Sequence, residues 1–515
     1  MVKLLFSRTL RAPVIFFVAF LTFPAAAQDT GAADLPERPN ILFILTDDQA
    51  PWALGAEGHT LAASMGHALE SDPENFAVLG AGHPDLRTPH MNRLAAEGAF
   101  FSNAFVATPV CSPSRAELMT GRYGSEVNVW DWINPQREVG HGLDPGLLTW
   151  VDLLNQEGYE TGLVGKWHLG TQDRYHPTTM GYDHFFGFRS GGNTPRDPVL
   201  EENGVTGTHE GFTQDILTDQ AIGFLREHRE GPFMLSLHYR APHAAWLPLP
   251  EEDWAPYEEL DAVLPNPDYP LLDTARLHRY MPEYLAAVAS IDRNLGRILD
   301  VLDELGLTDD TIVVFTSDHG YNMGHNGMWH KGNGHWILTD PPPGTYNVPQ
   351  GQRPNMYDNS LKVPLLVRWP GVTAPGTVVE SIVSNLDWYA TLAEMGGADV
   401  PAGLLLRGRS FVPLLRGDTP EDWPTEFYAE YSTHHQSWTH MRAYRTPEWK
   451  MVRDLLDARR DELFNLVDDP AESVNLIAED TPEVRAAIKY LDARLLERMT
   501  EINDPVLPLA ARLTH

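Results

Sequence analysis

Two pairs of charged residues follow apolar runs that are typical of buried strands. Asp47 and Asp48 come shortly after one such run, and Asp318 and His319 come shortly after another. Because ligand sites in α/β folds gather at the carboxyl ends of strands, we expect these four side chains to meet. Carboxylate oxygens with one imidazole suit a hard divalent cation such as calcium or magnesium. An isolated Asp–Asp pair is more often a solvated turn, but two pairs at strand ends favour a metal site.

Cys111 is the only cysteine of the chain. It has no partner for an internal disulfide, so the thiol needs another explanation. A buried cysteine that acts as a small apolar residue is the alternative. Its neighbours Ser112, Ser114 and Arg115 are polar, and this setting favours a chemical role for Cys111.

Cationic side chains recur close to these residues. Arg115 lies four residues after Cys111, one helical turn further on if Pro113 begins a helix. The positive end of that helix would then point towards an anion. Lys166 and His168 lie two positions apart on an extended segment, so their side chains face the same side and can meet one ligand.

The run Cys111-Ser112-Pro113-Ser114-Arg115 resembles the C-x-P-x-R signature of the type I sulfatases, a family of the alkaline-phosphatase-like superfamily. Further stretches are similar to the same family, namely residues 118–122, 165–170, 241–243, 329–332, 357–371 and 462–476. Within 357–371, Asp358 and Lys362 stand where the family commonly has glutamate and arginine. The resemblance spans about residues 39–478.

In this family the cysteine is oxidised after synthesis to formylglycine (3-oxoalanine), so the resemblance implies a formylglycine-generating enzyme as maturation partner. The hydrated aldehyde has one hydroxyl that attacks sulfur and a second that later expels sulfate. The resemblance assigns the metal, usually calcium with magnesium as the alternative, to Asp47, Asp48, Asp318 and His319, with one oxygen from the modified Cys111. The family often has asparagine at the position of His319, and Asp318 also assists the attack as base.

The resemblance implies roles for the remaining candidates. His243 and Lys331 bind the sulfate, and one of them protonates the leaving oxygen. His168 removes a proton from the second hydroxyl, while Lys166 and Arg115 hold the hydroxyls in place. Without the family context, His243 would more simply be a hydrogen-bonded core histidine.

Composition excludes some classes of partner. The 515 residues carry a formal charge of −33, which disfavours nucleic acid. The same charge would repel a polyanionic substrate at long range, so we expect cations to be concentrated in the cleft. Residues 1–27 are typical of a secretory signal, with Lys3, Arg8 and Arg11 before an apolar stretch too short to span a bilayer. We therefore expect an exported protein, periplasmic or secreted, without a transmembrane segment in the mature chain; an uncleaved anchor is the alternative.

Apolar strands alternate with amphipathic helices, which indicates an α/β layered sheet. Strands are expected at residues 40–45, 161–165, 233–237, 311–316 and 363–367. Helices are expected at 89–98, 147–158, 214–227 and 284–305, and loops at 51–87 and 248–270. The resemblance implies a large mixed sheet sandwiched between helices, as in alkaline phosphatase.

The end of the chain predicts a different structure. Short antiparallel strands are expected at residues 427–431, 441–444 and 449–453, followed by a helix at 482–500. The predicted organisation is therefore a signal peptide (1–27), a catalytic domain (28–420) and a smaller C-terminal α+β subdomain (421–515).

A sulfated carbohydrate is the expected substrate. Aromatic and hydrogen-bonding residues near the motifs could grip sugar rings, although ordinary packing explains each equally well. They are Trp130, Trp132, Trp246, Trp336, Trp438, Arg137, His335, His434 and His435. Two alternatives stay open: a phosphomonoester or phosphonate-ester hydrolase of the same superfamily, and a non-catalytic binder of sulfated glycans if Cys111 is not oxidised.

Overall fold

A computed structural model describes residues 38–55 and 82–514 of the chain. The expected signal peptide (1–27) lies outside the described residues, and so do residues 56–81 of the expected loop. The strands are β1 Asn40–Thr46, β2 Ala99–Phe101, β3 Ala104–Phe105, β4 Glu160–Lys166, β5 His184–Phe188, β6 Val199–Glu202, β7 Val205–Thr208, β8 Phe233–His238, β9 Thr311–Ser317, β10 Asn322–Met323, β11 Met328–His330, β12 His335–Trp336, β13 Leu365–Arg368, β14 Thr377–Val379, β15 Val383–Ser384, β16 Phe427–Thr433, β17 Thr439–Arg445, β18 Trp449–Asp454 and β19 Glu462–Asn465. The α-helices are α1 Pro89–Glu97, α2 Cys111–Thr120, α3 Trp150–Gln156, α4 Thr213–Glu227, α5 Glu251–Trp254, α6 Thr274–Leu305, α7 Asp358–Leu361, α8 Trp388–Met395, α9 Val412–Leu415 and α10 Pro482–Glu501.

One large mixed sheet organises the described chain. Its ten strands lie in the order β14-β2-β13-β9-β1-β8-β4-β5-β6-β7. The central strands β9, β1, β8, β4 and β5 are parallel, while β13, β6 and β7 pair antiparallel to their neighbours. Strand β1 is apolar from Ile41 to Leu45 because helices cover both faces of the sheet, as parallel strands require. The predicted α/β fold with a large mixed sheet is confirmed.

The side chains of β1 alternate between two hydrophobic layers. Leu42 and Ile44 pack with helices α1, α4 and α6 on one face. Ile41 and Phe43 pack with α2, α3 and α8 on the other. Because successive side chains of a strand point to opposite faces, one apolar run supplies both layers. This packing fixes where β1 ends at the edge of the sheet, and therefore where the residues that follow it lie.

Two helices begin away from the expected residues. Helix α3 begins at Trp150, not near residue 147, because the Thr149 hydroxyl accepts a hydrogen bond from the Asp152 N–H and caps it. Helix α6 begins at Thr274, after the Asp273 cap, although the sequence predicts a start at 284. It continues through Pro282, where packing of its buried face offsets the missing backbone hydrogen bond.

The C-terminal residues form a separate four-stranded antiparallel sheet, β16-β17-β18-β19. Three of its strands follow the expected pattern, and β19 was not expected. Helix α10 packs on this sheet through Leu491 and Leu495. The predicted boundary between residues 420 and 421 stays a prediction.

The loop expected at residues 248–270 contains one short helix, α5. Among residues 38–55 and 82–514, the helices lack the combination of length and apolarity that a bilayer crossing requires.

Candidate active site

The carboxyl ends of adjacent parallel strands meet at one edge of the large sheet. Strands β1 and β9 pair along their whole length, so Asp47 and Asp48 after β1 lie beside Asp318 and His319 after β9. Strand β4, next but one to β1 on its other side, ends at Lys166. The sheet topology therefore gathers residues that are far apart in the chain.

Helix α2 brings Cys111 to the same edge. The helix has ten residues and begins at Cys111 itself, after Val110 in extended conformation, whereas the sequence predicted a start at Pro113. Gly121 ends it in the left-handed conformation (φ 63°). The free N–H groups of the first turn lie around Cys111, which makes this end of the helix favourable for an anion.

The thiol of Cys111 lies among the candidate metal ligands. Its Sγ is 3.0 Å from Lys331 Nζ, 3.3 Å from His319 Nε2 and 3.6 Å from Asp47 Oδ1. The side chain is buried. Cys111 and the aspartates thus form one cluster.

Each of the three aspartates pairs with one cation through one of its oxygens. The pairs are Lys166 Nζ with Asp47 Oδ2 at 2.6 Å, Lys331 Nζ with Asp48 Oδ1 at 2.6 Å, and Arg115 Nε with Asp318 Oδ2 at 2.9 Å. The cations are gathered around Cys111, where carboxylates balance their charge. Three carboxylates balance three cations, so the cluster around Cys111 gains a net positive charge only if one more cation binds.

The second oxygens of the aspartates and one imidazole fit a divalent metal. Asp48 Oδ2 is buried and has no hydrogen-bond partner within the described ranges. His319 donates its Nδ1–H to the carbonyl of the next residue at 3.0 Å, which leaves Nε2 as a lone-pair ligand. One ligand atom each from Asp47, Cys111, Asp318 and His319 lies within 4.8 Å of the others. A bound cation would offset the cost of the unpaired buried oxygen.

Two further histidines have defined tautomers. His168 Nε2 donates to the carbonyl oxygen of Ile133 at 3.1 Å, so its proton-free atom is Nδ1. This Nδ1 is buried and unpartnered within the part of the chain that the structure describes. His243 donates its Nδ1–H to the carbonyl of Ala244 at 2.6 Å, which leaves Nε2 as acceptor. Each imidazole therefore keeps one nitrogen for a proton or a ligand.

Burial and neighbouring charges set the protonation states. Burial, followed by nearby cations, holds the pKa of His168 well below its usual range, and burial lowers the pKa of His243 to about 3. Burial lowers the pKa of Lys331, but Asp48 and the other anions raise it well above the usual value. Burial raises the pKa of Cys111 to about 12. At neutral pH the imidazoles are neutral, the lysine is charged and the thiol is protonated.

Strained backbone is concentrated at this edge of the sheet. Asp48 (φ 76°), His168 (φ 61°) and His330 (φ 87°) adopt positive φ, which costs about 1–3 kcal/mol per residue. Gly165 has φ 119°, and a Cβ there would lie 1.9 Å from the carbonyl oxygen of His238. Only glycine allows β4 to approach β8 so closely, and this approach positions Lys166 beside the aspartates.

The cluster opens into a cleft of about 370 Å³. The cleft is lined by Cys111, Trp132, Ile133, Pro135, Gln136, His168, Ser190, Gly191, Gly192, His243, His330, Lys331 and Asn333. Of the aromatic candidates, Trp132 lines this cleft, Trp336 lines a separate cavity of about 240 Å³, and Trp246 is buried with its Nε1–H on the carbonyl of Pro242.

Sequence reasoning gave no role to some residues at this site. His330 lies next to Lys331 and contacts Asn333 Oδ1 through Nδ1 at 3.0 Å, and its place within a family-like stretch was the available signal. His238 is buried, with Nδ1 3.1 Å from the carbonyl of Lys166. Ile133 and the glycines of the cleft come from loops that have no periodic pattern.

Comparison with known families identifies the chain. The sulfatase family model matches residues 39–398. The model of the C-terminal region of N-sulphoglucosamine sulphohydrolase matches residues 352–501. The chain belongs to the sulfatase family and is a sulfuric ester hydrolase.

Several characterised relatives are similar over most of their length. N-acetylglucosamine-6-O-sulfatase of Bacteroides thetaiotaomicron is 25% identical, with 94% of this chain and 92% of the relative covered. Human N-acetylgalactosamine-6-sulfatase is 28% identical, with 83% and 76% covered. The solved structure of BT4656 with its substrate D-glucosamine-2-N,6-O-disulfate is 25% identical, has a TM-score of 0.72, and covers 91% of this chain and 99% of its own.

Proposed function

We propose that this enzyme releases inorganic sulfate from a sulfated carbohydrate, with Cys111 converted to formylglycine and calcium as the metal. The observation that supports it best is the position of Cys111, which lies at the floor of the cleft between Lys331, His319 and Asp47. The relatives named above act on sulfated amino sugars by their names, so an amino sugar sulfate is the first substrate to test.

Asp47, Asp48, Asp318 and His319 would hold the metal. When bound, it supplies Lewis-acid stabilisation of the negative charge that shifts between sulfate oxygens. The free Asp48 Oδ2 and the lone pair of His319 Nε2 are the ligand atoms left over after the ion pairs are made. Carboxylate oxygens favour calcium, and magnesium is the alternative.

The side chains of Lys331 and His243 bind the sulfate group. Lys331 Nζ is already 3.0 Å from Cys111 Sγ, so a sulfate brought to this atom meets a fixed positive charge. His243 Nε2 carries no proton in the free protein, and the arriving anion favours its protonation, which prepares it to donate to the leaving oxygen. Fixed charges of this kind are the largest single term in such reactions.

Arg115 and Lys166 position the acidic groups, and His168 accepts a proton. Arg115 fixes Asp318 through Oδ2, which would hold this carboxylate in place both to ligate the metal and to assist the first proton transfer as base. The hydrated formylglycine supplies one hydroxyl to attack sulfur and a second whose deprotonation expels sulfate. His168 Nδ1, neutral and unpartnered within the described residues, takes that second proton as general base.

Maturation and export complete the proposal. A formylglycine-generating enzyme would act on residue 111 before the chain folds, because only 3% of Cys111 is exposed at the cleft of the folded protein, too little for another enzyme to engage the segment. Residues 1–27 would direct the chain out of the cytoplasm, to the periplasm or beyond. Mass spectrometry of the mature N-terminus and of the peptide that contains Cys111 tests both points together.

The decisive test compares sulfate and phosphate esters of the same sugar alcohol. We expect protein co-expressed with the maturation enzyme to release sulfate from glucosamine 6-sulfate far faster than phosphate from glucosamine 6-phosphate. A preference for the phosphate ester would contradict the proposal and favour the phosphohydrolase alternative.

The Cys111→Ser variant is the matched control for the nucleophile. Serine provides a single hydroxyl at the same place, so sulfate could be accepted but not released. We expect turnover to fall by at least about 10³-fold, as for other nucleophile replacements, with an unchanged thermal unfolding midpoint. An unmodified thiol in fully active protein would contradict the mechanism.

A further inference from the structure

A second cluster of potential metal ligands lies at the rim of the cleft. Asp131 precedes Trp132, which lines the cleft, and His434 and His435 lie in the turn between β16 and β17. Asp131 and His434 are 303 positions apart, and the His434 N–H donates to Asp131 Oδ2 at 2.9 Å. One ligand atom each from Asp131, His434 and His435 lies within 4.8 Å of the others.

The hydrogen bonds at this rim fix the tautomer of both histidines. His435 Nε2 is 2.9 Å from the carbonyl oxygen of Trp132, an atom that can only accept, so Nε2 carries the proton. The same nitrogen is 3.0 Å from Glu138. His434 Nε2 is 3.1 Å from the other oxygen of Glu138. Both Nδ1 atoms are consequently the lone-pair atoms, on two neighbouring residues.

Glu138 is placed like the carboxylates that support histidine ligands at metal sites. Histidines that bind a metal through one ring nitrogen usually donate the other N–H to a carboxylate or a carbonyl. Burial raises the pKa of Glu138, but the Asn134 N–H and the two histidines lower it below the usual value, so the carboxylate is ionised. The His434 Nδ1 atom then faces Asp131 Oδ2 at 3.7 Å.

Asp131 is the third donor, and it is nearly inaccessible to solvent. Within the described residues, its oxygens accept hydrogen bonds from the backbone N–H groups of Trp132 and His434. No lysine or arginine pairs with it among the described ion pairs. A buried carboxylate without a cation is costly, and a bound metal would remove that cost.

We propose that Asp131, His434 and His435 form a second metal site, for a borderline transition ion such as Zn²⁺. Two imidazoles and one carboxylate suit such an ion, whereas calcium prefers oxygen ligands throughout. Three protein ligands leave one coordination position open at the rim of the cleft. The ion would join the loop that carries Trp132 to the β16–β17 turn of the C-terminal sheet. This inference is independent of the proposed function.

Titration calorimetry of the full-length protein with Zn²⁺ tests the proposal, in excess Ca²⁺ so that the ligands near Cys111 are occupied. We expect one Zn²⁺ per chain to be lost in the His434→Gln/His435→Gln variant. Glu138→Gln keeps all three ligands and weakens their support, so we expect the affinity to fall about 10- to 100-fold. Co²⁺ in place of Zn²⁺ should give the visible absorption of a tetrahedral site.

The chain offers a matched control in a different group, Glu160, His184 and His228, at the other end of β4 and β5. His184→Gln should leave the Zn²⁺ site at the rim and its Co²⁺ absorption unchanged. Equal Zn²⁺ binding by the wild type and the His434→Gln/His435→Gln variant would overturn the proposal, as would absence of binding by the wild type. Sulfatase activity is not part of the readout, so the result does not depend on the state of Cys111.

Discussion

Arg115 and Arg442 are both buried, but their surroundings differ. Arg442, on β17, forms a two-pronged pair with Asp504, with Nε and one terminal nitrogen at 2.6 and 2.9 Å from its oxygens. Its other terminal nitrogen donates to Met441 and Ser432. Arg115 reaches Asp318 through Nε alone, and its second terminal nitrogen has no partner within the described residues.

We interpret the Arg442 pair as structural and, under the proposed function, the Arg115 pair as functional. A buried guanidinium whose three nitrogens all have acceptors stabilises the fold around it, and the Arg442 pair ties Asp504 to the C-terminal sheet. An unsatisfied buried donor costs about 1–3 kcal/mol. Near Cys111, unsatisfied atoms of Arg115, Asp48 and His168 occur together, and two of these residues also have positive φ. Under the proposed function, a bound ligand would complete these atoms.

Metal removal should give the largest contrast between the two regions. Chelation leaves Asp47, Asp48 and Asp318 with only their three ion-pair partners, so we expect sulfate release to fall to background. Added calcium should restore it, and rescue by magnesium alone would reassign the ion. Hydrogen exchange of β18 and β19 should not change, because these strands carry no ligand of either proposed metal site. Full activity in protein that elemental analysis finds free of metal would contradict the metal assignment.

Replacement of each arginine by methionine should affect stability at Arg442 and catalysis at Arg115. Arg442→Met leaves Asp504 as an unpaired buried charge, so we expect the free energy of unfolding to fall by about 3–5 kcal/mol. The kcat of the folded fraction should stay near the wild-type value. Arg115→Met removes the group that orients Asp318, so we expect kcat to fall about 10²- to 10³-fold, with a smaller loss of stability while metal is bound.

Denaturant unfolding and steady-state kinetics on the same preparations measure both effects. The conservative variants Arg442→Lys and Arg115→Lys serve as controls, because lysine keeps the charge but loses the forked geometry. If Arg115→Met lowered stability as much as Arg442→Met and left kcat unchanged, the distinction between the two arginines would be wrong.

The sequence predicted the parts of the site that are local or that end a strand. Cys111 and Arg115 lie within one helix, and Asp47 and Asp318 follow apolar strands whose pairing could be expected. The strand boundaries were also close, because burial on both faces of the sheet leaves a continuous apolar run. These signals need only a few neighbouring residues to be recognised.

Contacts between distant loops could not be predicted in this way. The carbonyl oxygen of Ile133 accepts a hydrogen bond from His168, and the carboxylate of Asp131 accepts one from the His434 N–H. Both acceptors lie in segments that have neither helical nor strand periodicity. Helix α6 was expected to begin at residue 284, but it begins at Thr274 and runs through Pro282, a residue type that usually ends a helix. Its buried apolar face outweighs that local preference, and this balance depends on tertiary packing that the sequence pattern does not contain.

The smallest expected effect is a change in the free energy of unfolding with pH. It can be compared at two buried glutamates. Burial raises the pKa of Glu117, on the α2 helix of Cys111, to about 8, and that of Glu430, on β16, to about 7. An acid whose pKa is raised on folding binds more protons in the folded state than in the unfolded one. The contribution of these two glutamates to the free energy of unfolding therefore falls as the pH rises from about 5 to about 8.

The Glu117→Gln variant tests this sign, since the amide resembles the protonated carboxyl and can still accept from Thr108. We expect it to match the wild type near pH 5 and to exceed its free energy of unfolding at pH 8 by about 1–4 kcal/mol. Glu430→Gln should give a smaller gain, because burial raises the pKa of Glu430 only to about 7, against about 8 for Glu117. Urea unfolding across this pH range measures the slopes, and parallel curves for the wild type and Glu117→Gln would show that Glu117 is already ionised in the folded protein.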